Sequence, residues 1–280
     1  MILLDFSQTI ISGLMMQLKI TKGDLSEDML RHMVLNSIRA YQKKYSAEYG
    51  KITLCCDSKQ NWRKLVFPAY KANRKKTREA DGRDWGAIFK TLDKIKLEIS
   101  ENLPYHFMQV EKAEADDIIA VLTKKFQSTD KVLIISGDKD FQQLQKYPSV
   151  RQWSPNLQKF VKPSDPKQFL FEHILRGDKS DGIPNILSDD ECIVQGQRQK
   201  PLKKTLVEQY TKNGILQDDK YYRNFRRNQV LIDLEYIPEA LENDIMNQFS
   251  LSIPPSGKIF NYLRVNRLND LMDNIGDFSL

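Results

Sequence analysis

Short apolar runs alternate along the chain with longer stretches of helical spacing, and three of the runs end in acid. Ile2, Leu3 and Leu4 lead into Asp5, and Lys51 to Asp57 reads KITLCCD. Val132 to Ile135 stop at Ser136, Gly137, Asp138, Lys139 and Asp140. Short β-branched runs bounded by Gly or charge predict strands buried on both faces. Tyr105 to Val110 and Val150 to Trp153 add two further strands. Leu30, Met33, Val34, Ser37, Ile38 and Tyr41 recur at helical spacing, with Asp24 or Ser26 as the candidate cap. Trp85, Ile88, Phe89, Leu92, Ile95 and Ile99 predict a second amphipathic helix that Pro104 ends. Glu114 opens a third, with Ala115, Ile118, Ile119, Leu122 and Phe126 on one stripe, and Phe141 to Leu144 predicts a helical turn.

Alternating strands and helices predict an α/β fold with a mostly parallel central sheet flanked by helices. After Pro163 the pattern turns helical: Phe169 to Leu175, then GDKSDGIP from Gly177 to Pro184. Helices are also expected over Pro201 to Tyr210, Tyr221 to Leu231 and Ile259 to Met272, whereas Ser188 to Lys200 lacks periodicity. The expected division is an α/β domain over 1–184 and a smaller helical C-terminal domain over 185–280.

Composition adds class and partner. The 280 residues are 40% hydrophobic and 29% charged, ordinary for a soluble globular protein. No apolar run approaches the roughly 18 residues that span a bilayer, and Met1 to Phe6 has neither basic flank nor cleavage site. No membrane contact, a cytoplasmic location and a monomer are therefore expected. Cys55, Cys56 and Cys192, two of them adjacent in a strand pattern, suit reduced structural thiols rather than a disulfide framework. The net charge of +6 implies a polyanionic partner only where the charge is gathered. From Ser58 to Arg78 there is no acid, while Lys59, Arg63, Lys64, Lys71, Arg74, Lys75, Lys76 and Arg78 lie among Trp62, Phe67 and Tyr70. Such a run repels itself unless something negative lies across it.

The acids at strand ends and loop-to-helix junctions are Asp5, Asp57, Glu114, Asp116, Asp117, Asp138, Asp140, Asp178 and Asp181. Parallel strands would bring most of them to one sheet edge. There like charges raise one another's pKa, and hard divalent cations resolve the conflict. Ligands offering only oxygen favour magnesium, with manganese able to substitute, over zinc. Two such ions roughly 3.5 to 4 Å apart would activate a water and stabilise the leaving oxygen of a phosphodiester. His32, His106 and His173 are then not needed, and packing or surface roles are expected for them. On a regular helix Glu114 and Asp116 lie about 200° apart. Either Glu114 precedes the first regular turn, or the two serve different ions. EADD alone is more often a solvated helix start; its combination with LLD, LCCD, SGDKD and GDKSD is specific.

These motifs resemble the 5′-nuclease family, which includes flap endonucleases and the 5′-exonuclease domains of bacterial DNA polymerases. PAYKANR at Pro68 to Arg74, EADD at Glu114 to Asp117, SGDKDF at Ser136 to Phe141 and GDKSDGIP at Gly177 to Pro184 carry it. LLDFSQ, KYPSVRQWSP at Lys146 to Pro155 and LIDLEYIP at Leu231 to Pro238 resemble its T-even bacteriophage ribonuclease H branch, so the likeness covers nearly the whole chain. It implies a PIN-like 5′-nuclease core and magnesium-dependent hydrolysis at the 5′ ends or flaps of duplexes. Asp57, Asp116, Asp138 and Asp140 would surround one ion, and Asp5, Glu114, Asp178 and Asp181 would surround or approach a second. Asp117 is carried by only some members. Lys71 and Arg63 match residues that grip the scissile phosphate.

The acid-free segment, about 58–85, matches the arch through which a single-stranded 5′ end passes. Lys64, Arg74, Lys75 and Lys76 would bind phosphates, and Trp62 or Tyr70 would stack on bases or pack in a helix. Where cellular members carry a Gly-rich hairpin, this chain reads NILSDDE from Asn185 to Glu191, so duplex contacts are expected from Lys200, Lys203, Lys204 and Thr205. Gly182 stands where Asn is usual. The implied substrates are RNA–DNA hybrid, duplex and 5′-flap DNA, with removal of RNA primers from lagging-strand fragments. The implied partners are a single-stranded-DNA-binding protein and a sliding clamp. The rival readings are a PIN-like single-strand ribonuclease, with fewer acids and no GDKSD element, and a non-catalytic structure-specific DNA-binding protein.

Overall fold

The computed structural model describes residues 1–21 and 26–279, and within its helices not the side chains of 18–21 and 75–77. Its elements in chain order are β1 (Ile2–Asp5), α1 (Phe6–Thr21), α2 (Glu27–Tyr49), β2 (Ile52–Cys55), α3 (Trp62–Val66) and α4 (Asn73–Ala80). Then come α5 (Trp85–Asn102), β3 (His106–Met108), α6 (Ala115–Phe126), β4 (Val132–Ile135), β5 (Val150–Ser154) and β6 (Lys159–Val161). The remainder is helical: α7 (Pro166–Arg176), α8 (Lys204–Asn213), α9 (Tyr222–Ile232), α10 (Glu239–Leu251), α11 (Ile259–Val265) and α12 (Asn269–Met272).

The strands form one sheet in the order β3-β2-β1-β4-β5-β6. β1 to β5 are parallel and β6 is antiparallel, so the mostly parallel α/β architecture expected from the pattern is the one observed. The chain winds outward from β1 to β3 and restarts at β4 on the other side of β1. The crevice between the C-terminal ends of β1 and β4 is thus the switch point where open α/β sheets bind ligands.

Alternation along the strands divides the core. Ile2, Leu4, Ile52, Leu54, Leu133 and Ile135 face α1, α2 and α5 in one cluster. Leu3, Cys55, Val132 and Ile134 face α6 and α10 in another. All three cysteines are buried and free. After residue 184 a turn-rich stretch leads to α8, the regular elements from there on are helical, and the buried side chains of this region are shared out. Tyr262, Leu263 and Phe278 join the first cluster, Leu241 and Ile245 the second. A third cluster packs Val207 and Phe225 against Phe67, Tyr70 and Ile183.

Some boundaries differ from expectation. Ser26 caps α2, its side chain accepting from the Met29 N–H at 3.2 Å; Asp24 lies outside the described residues. β3 is confined to three residues, and β6 follows a turn that no periodic pattern marks. Gly177 and Gly182 shape the GDKSDGIP turn, with φ of 68° and 75°. A Cβ at Gly182 would stand 2.7 Å from the Ala69 carbonyl, so this chain's close packing of turn against arch excludes the Asn usual there.

Candidate active site

Four carboxylates from four elements line a cleft of about 270 Å³ at the switch point. Asp5 ends β1, Asp57 follows β2, Asp138 follows β4 and Asp116 sits in the first turn of α6. Asp5 is oriented by the Ser136 hydroxyl at 2.9 Å and the Gln8 N–H at 3.1 Å. Asp57 accepts from the Ala115 N–H at 3.0 Å, fastening the end of β2 to the start of α6. The Gln152 amide donates to the Ser136 and Asp138 carbonyls at 3.0 and 2.6 Å, fixing the loop after β4.

Burial, then the charge on Asp57, pushes Asp5 up to about 7. Burial, then Asp140, pushes Asp138 up to about 6. Burial, then Asp138, pushes Asp116 well above the usual carboxylate range. Neighbouring buried carboxyls resist ionising together unless a cation joins them. The donors are all hard oxygens, so they fit a divalent ion such as magnesium or manganese better than a soft metal.

Beside the cleft lies a second set of acids already neutralised from within the chain. Glu114 is the N-cap of α6, extended at φ −91° and ψ 163°. It precedes the first regular turn, which resolves its geometry relative to Asp116. Asp117 accepts from the Glu114 N–H at 2.9 Å and from the Trp62 indole at 3.2 Å. Arg63, 2% exposed, pairs with Glu114 at 3.0 Å and Asp117 at 2.8 Å, while its Nε donates to the Leu231 carbonyl at 3.0 Å. Lys71 pairs with Glu114 and lies 3.5 Å from Asp181, which Arg74 meets at 2.6 Å. The Tyr70 hydroxyl contacts Glu114 at 2.9 Å and Asp181 at 3.1 Å. Burial alone would raise Glu114, but Lys71 and Arg63 hold it down to about 2.

Asp140 turns to a third group, 3.0 Å from His173 Nε2, which is 3.6 Å from Asp178. Asp178 accepts from the Ser180 N–H and hydroxyl at 2.8 and 2.6 Å and pairs with Lys139 at 3.0 Å. SGDKDF is thereby tied to GDKSD. One carboxylate oxygen from each of Asp140 and Asp178 and one ring nitrogen of His173 lie within 4.8 Å of one another, close enough to share an ion.

Several expectations need correction. Asp117 points into a buried ion pair and away from the cleft, because the residue after Asp116 on a helix is turned by about 100°. Arg63 has its donors engaged by Glu114, Asp117 and Leu231, so it braces the site and does not reach a phosphate. Trp62 and Tyr70 are 6% and 2% exposed, which removes them as base-stacking platforms. Glu114 and Asp181 meet Lys71 and Arg74, whereas Asp5 lines the cleft with Asp57, Asp116 and Asp138.

Lys71, Arg74 and Arg78 line the same cleft as Asp5 and Asp138. Lys64, Lys200, Lys203, Lys204 and Thr205 are exposed and lie outside the cleft lining, the last three at the start of α8. The side chains of Lys75 and Lys76 fall outside the described residues. His173, for which a packing or surface role is expected, is buried against Phe169 and also stands among the acids; its place five residues before Asp178, on the helix feeding that turn, is the available signal. Lys139 and Ser136 lie inside the SGDKDF motif, and nothing in their spacing marks them as partners of Asp178 and Asp5.

A profile of the 5′-3′ exonuclease N-terminal, resolvase-like domain matches residues 13–171, and a profile of the T4 RNase H C-terminal region matches residues 166–278. Ribonuclease H of Enterobacteria phage T4 is 37% identical over 290 residues, spanning 99% of this chain and 95% of the relative. Flap endonuclease Xni of Shewanella piezotolerans is 32% identical over 136 residues, 45% of this chain and 49% of its own length. Bacteriophage T5 flap endonuclease, solved as a pseudo-enzyme-product complex with DNA and metal ions, superposes with a TM-score of 0.60 at 16% identity, covering 89% of this chain and 98% of that one. T5 5′-exonuclease with bound zinc gives 0.60 at 17%, covering 90% and 98%. At that identity the superpositions speak for the fold.

Proposed function

The chain belongs to the 5′-3′ exonuclease family and is a hydrolytic 5′-nuclease; from that premise we propose that it is a magnesium-dependent 5′-to-3′ exonuclease and flap endonuclease. Its substrates are RNA–DNA hybrid, duplex and 5′-flap DNA, and its task is primer removal from lagging-strand fragments during phage replication. That work would bring it beside a single-stranded-DNA-binding protein and a sliding clamp. The observation that carries the reading is the meeting of Asp5, Asp57, Asp116 and Asp138 at one sheet edge, with Asp5, Asp116 and Asp138 raised by burial and mutual charge.

Divalent ions held there would supply an activated water and charge stabilisation at the phosphoryl oxygens. Asp5, Asp57, Asp116 and Asp138 would hold one of them, and Asp140 and Asp178 would orient a second or its waters. The chain's own cations complete the chemistry. Lys71, fixed by Glu114 and Asp181 on the cleft wall, places its ammonium to stabilise charge developing on the scissile phosphate. Arg74 and Arg78 draw the backbone into the cleft, and Lys64, Lys75 and Lys76 are proposed as further phosphate contacts. Lys200, Lys203, Lys204 and Thr205 take the duplex backbone without reading sequence.

End-labelled RNA–DNA hybrid and 5′-flap duplex, incubated with and without magnesium ions, test this reading. Short 5′ products that need the ion, and 5′-phosphate ends, are expected. Faster cutting of single-stranded RNA than of the flap would favour the PIN-like ribonuclease, and no turnover at any magnesium concentration would leave a DNA-binding protein.

A further inference from the structure

The far end of the sheet carries a second concave surface. A groove of about 440 Å³ opens at the N-terminal end of β5, beside β6 and away from the acid cleft. Its apolar lining comes from Tyr147, Pro148, Val150, Val161 and Pro163, and Arg151 and Lys162 stand exposed within it. No carboxylate lines it. From Arg151 to Lys167 the chain carries Arg151, Lys159, Lys162 and Lys167 against one acid, Asp165. β6 is the terminal strand, paired only with β5 among the described residues.

We propose that this groove docks an extended acidic peptide of another protein, one apolar side chain seated between Tyr147 and Pro163. The peptide backbone pairs with the open edge of β6, which an extended chain of alternating side chains fits. Its acids meet Arg151 and Lys162. Three features favour a peptide over nucleic acid. The lining is dominated by proline and aliphatic side chains, it offers only these two cations, and a strand edge presents amide groups to another backbone rather than to phosphates. A second copy of this edge is disfavoured, because Lys159, Lys162 and Pro163 are the devices that stop like edges pairing. A partner held here leaves the cleft open to substrate.

The test is fluorescence anisotropy at low salt, with the full chain and a labelled decapeptide of alternating Asp and Ile around a central Phe. Saturable binding is expected, and the Arg151→Glu, Lys162→Glu double variant should weaken it by about tenfold or more. The same variant should cut a 5′-flap duplex at the unaltered rate, since neither residue lines the cleft, which also reports an intact fold. A peptide with Lys in place of Asp should not bind. Absence of saturable binding, equal binding by the double variant, or displacement of the peptide by a single-stranded oligodeoxynucleotide would overturn the proposal.

Discussion

Two sets of acids lie side by side at the end of the sheet and are neutralised in opposite ways. Glu114, Asp117 and Asp181 are packed around Arg63, Lys71 and Arg74, so their charge is balanced by the chain and they hold the arch to α6. Asp5, Asp57, Asp116 and Asp138 face a cleft where burial and neighbouring charge raise Asp5, Asp116 and Asp138, and the balance of charge must come from outside. A carboxylate of the first kind serves stability, and one of the second kind serves binding and catalysis. Asp116 and Asp117 are neighbours in sequence and fall on opposite sides of that line.

The largest effect should follow from changing the open set. Asp138→Asn should cost cleavage about a thousandfold, roughly 4 kcal/mol of transition-state stabilisation, in single-turnover assays on a flap duplex. Its urea unfolding midpoint without metal at pH 8 should not fall, because one of several repelling charges has gone. Arg63→Met should do the reverse. It leaves buried Asp117 without its cation and Glu114 with Lys71 alone, so unfolding stability should drop by about 3–5 kcal/mol. If Arg63→Met were as stable as wild type and lost only phosphate affinity, the bracing role would be wrong. Lys71→Met lies on the border: a loss of about a hundredfold in cleavage is expected from the missing charge, with a smaller loss of stability than at Arg63. Asp117→Asn should cost about 1–3 kcal/mol of stability through the impaired Arg63 and Trp62 contacts and leave magnesium affinity unchanged.

Much of this division was invisible in the chain. The strands before Asp5, Asp57 and Asp138 were legible because runs buried on both faces stand out against charge. The same register put their carboxylates at one edge. α4 was not legible, since NRKKTREA has no apolar face to mark a period. α1 carried a signal in Phe6, Ile10 and Leu14, four residues apart and all buried, but no cap announced it. β6 is too short and too exposed for alternation to register. Arg63 sits in a basic run that looks solvated throughout, and nothing local separates the one guanidinium that is buried. Which of two adjacent acids faces a cleft depends on where a helix begins to less than one residue, finer than periodicity resolves.

The two sets also respond to pH in opposite senses, and this gives the most direct test. Carboxyls in the unfolded chain titrate near about 4. Asp5 and Asp138 are raised to about 7 and about 6 in the folded protein. Their contribution to stability is therefore fully present below the unfolded value and lost as pH rises through the folded ones. Glu114, held down to about 2, contributes above its unfolded pKa and loses that contribution as pH falls toward 2. The decisive measurement is the thermal unfolding midpoint from pH 5 to pH 8, with and without magnesium ions, for wild type and Asp138→Asn. The account predicts that the metal-free wild type weakens toward pH 8, that magnesium restores it there and does little at pH 5, and that Asp138→Asn shows a much smaller magnesium response. A magnesium response that is absent, or the same at both pH values and in both proteins, would contradict it.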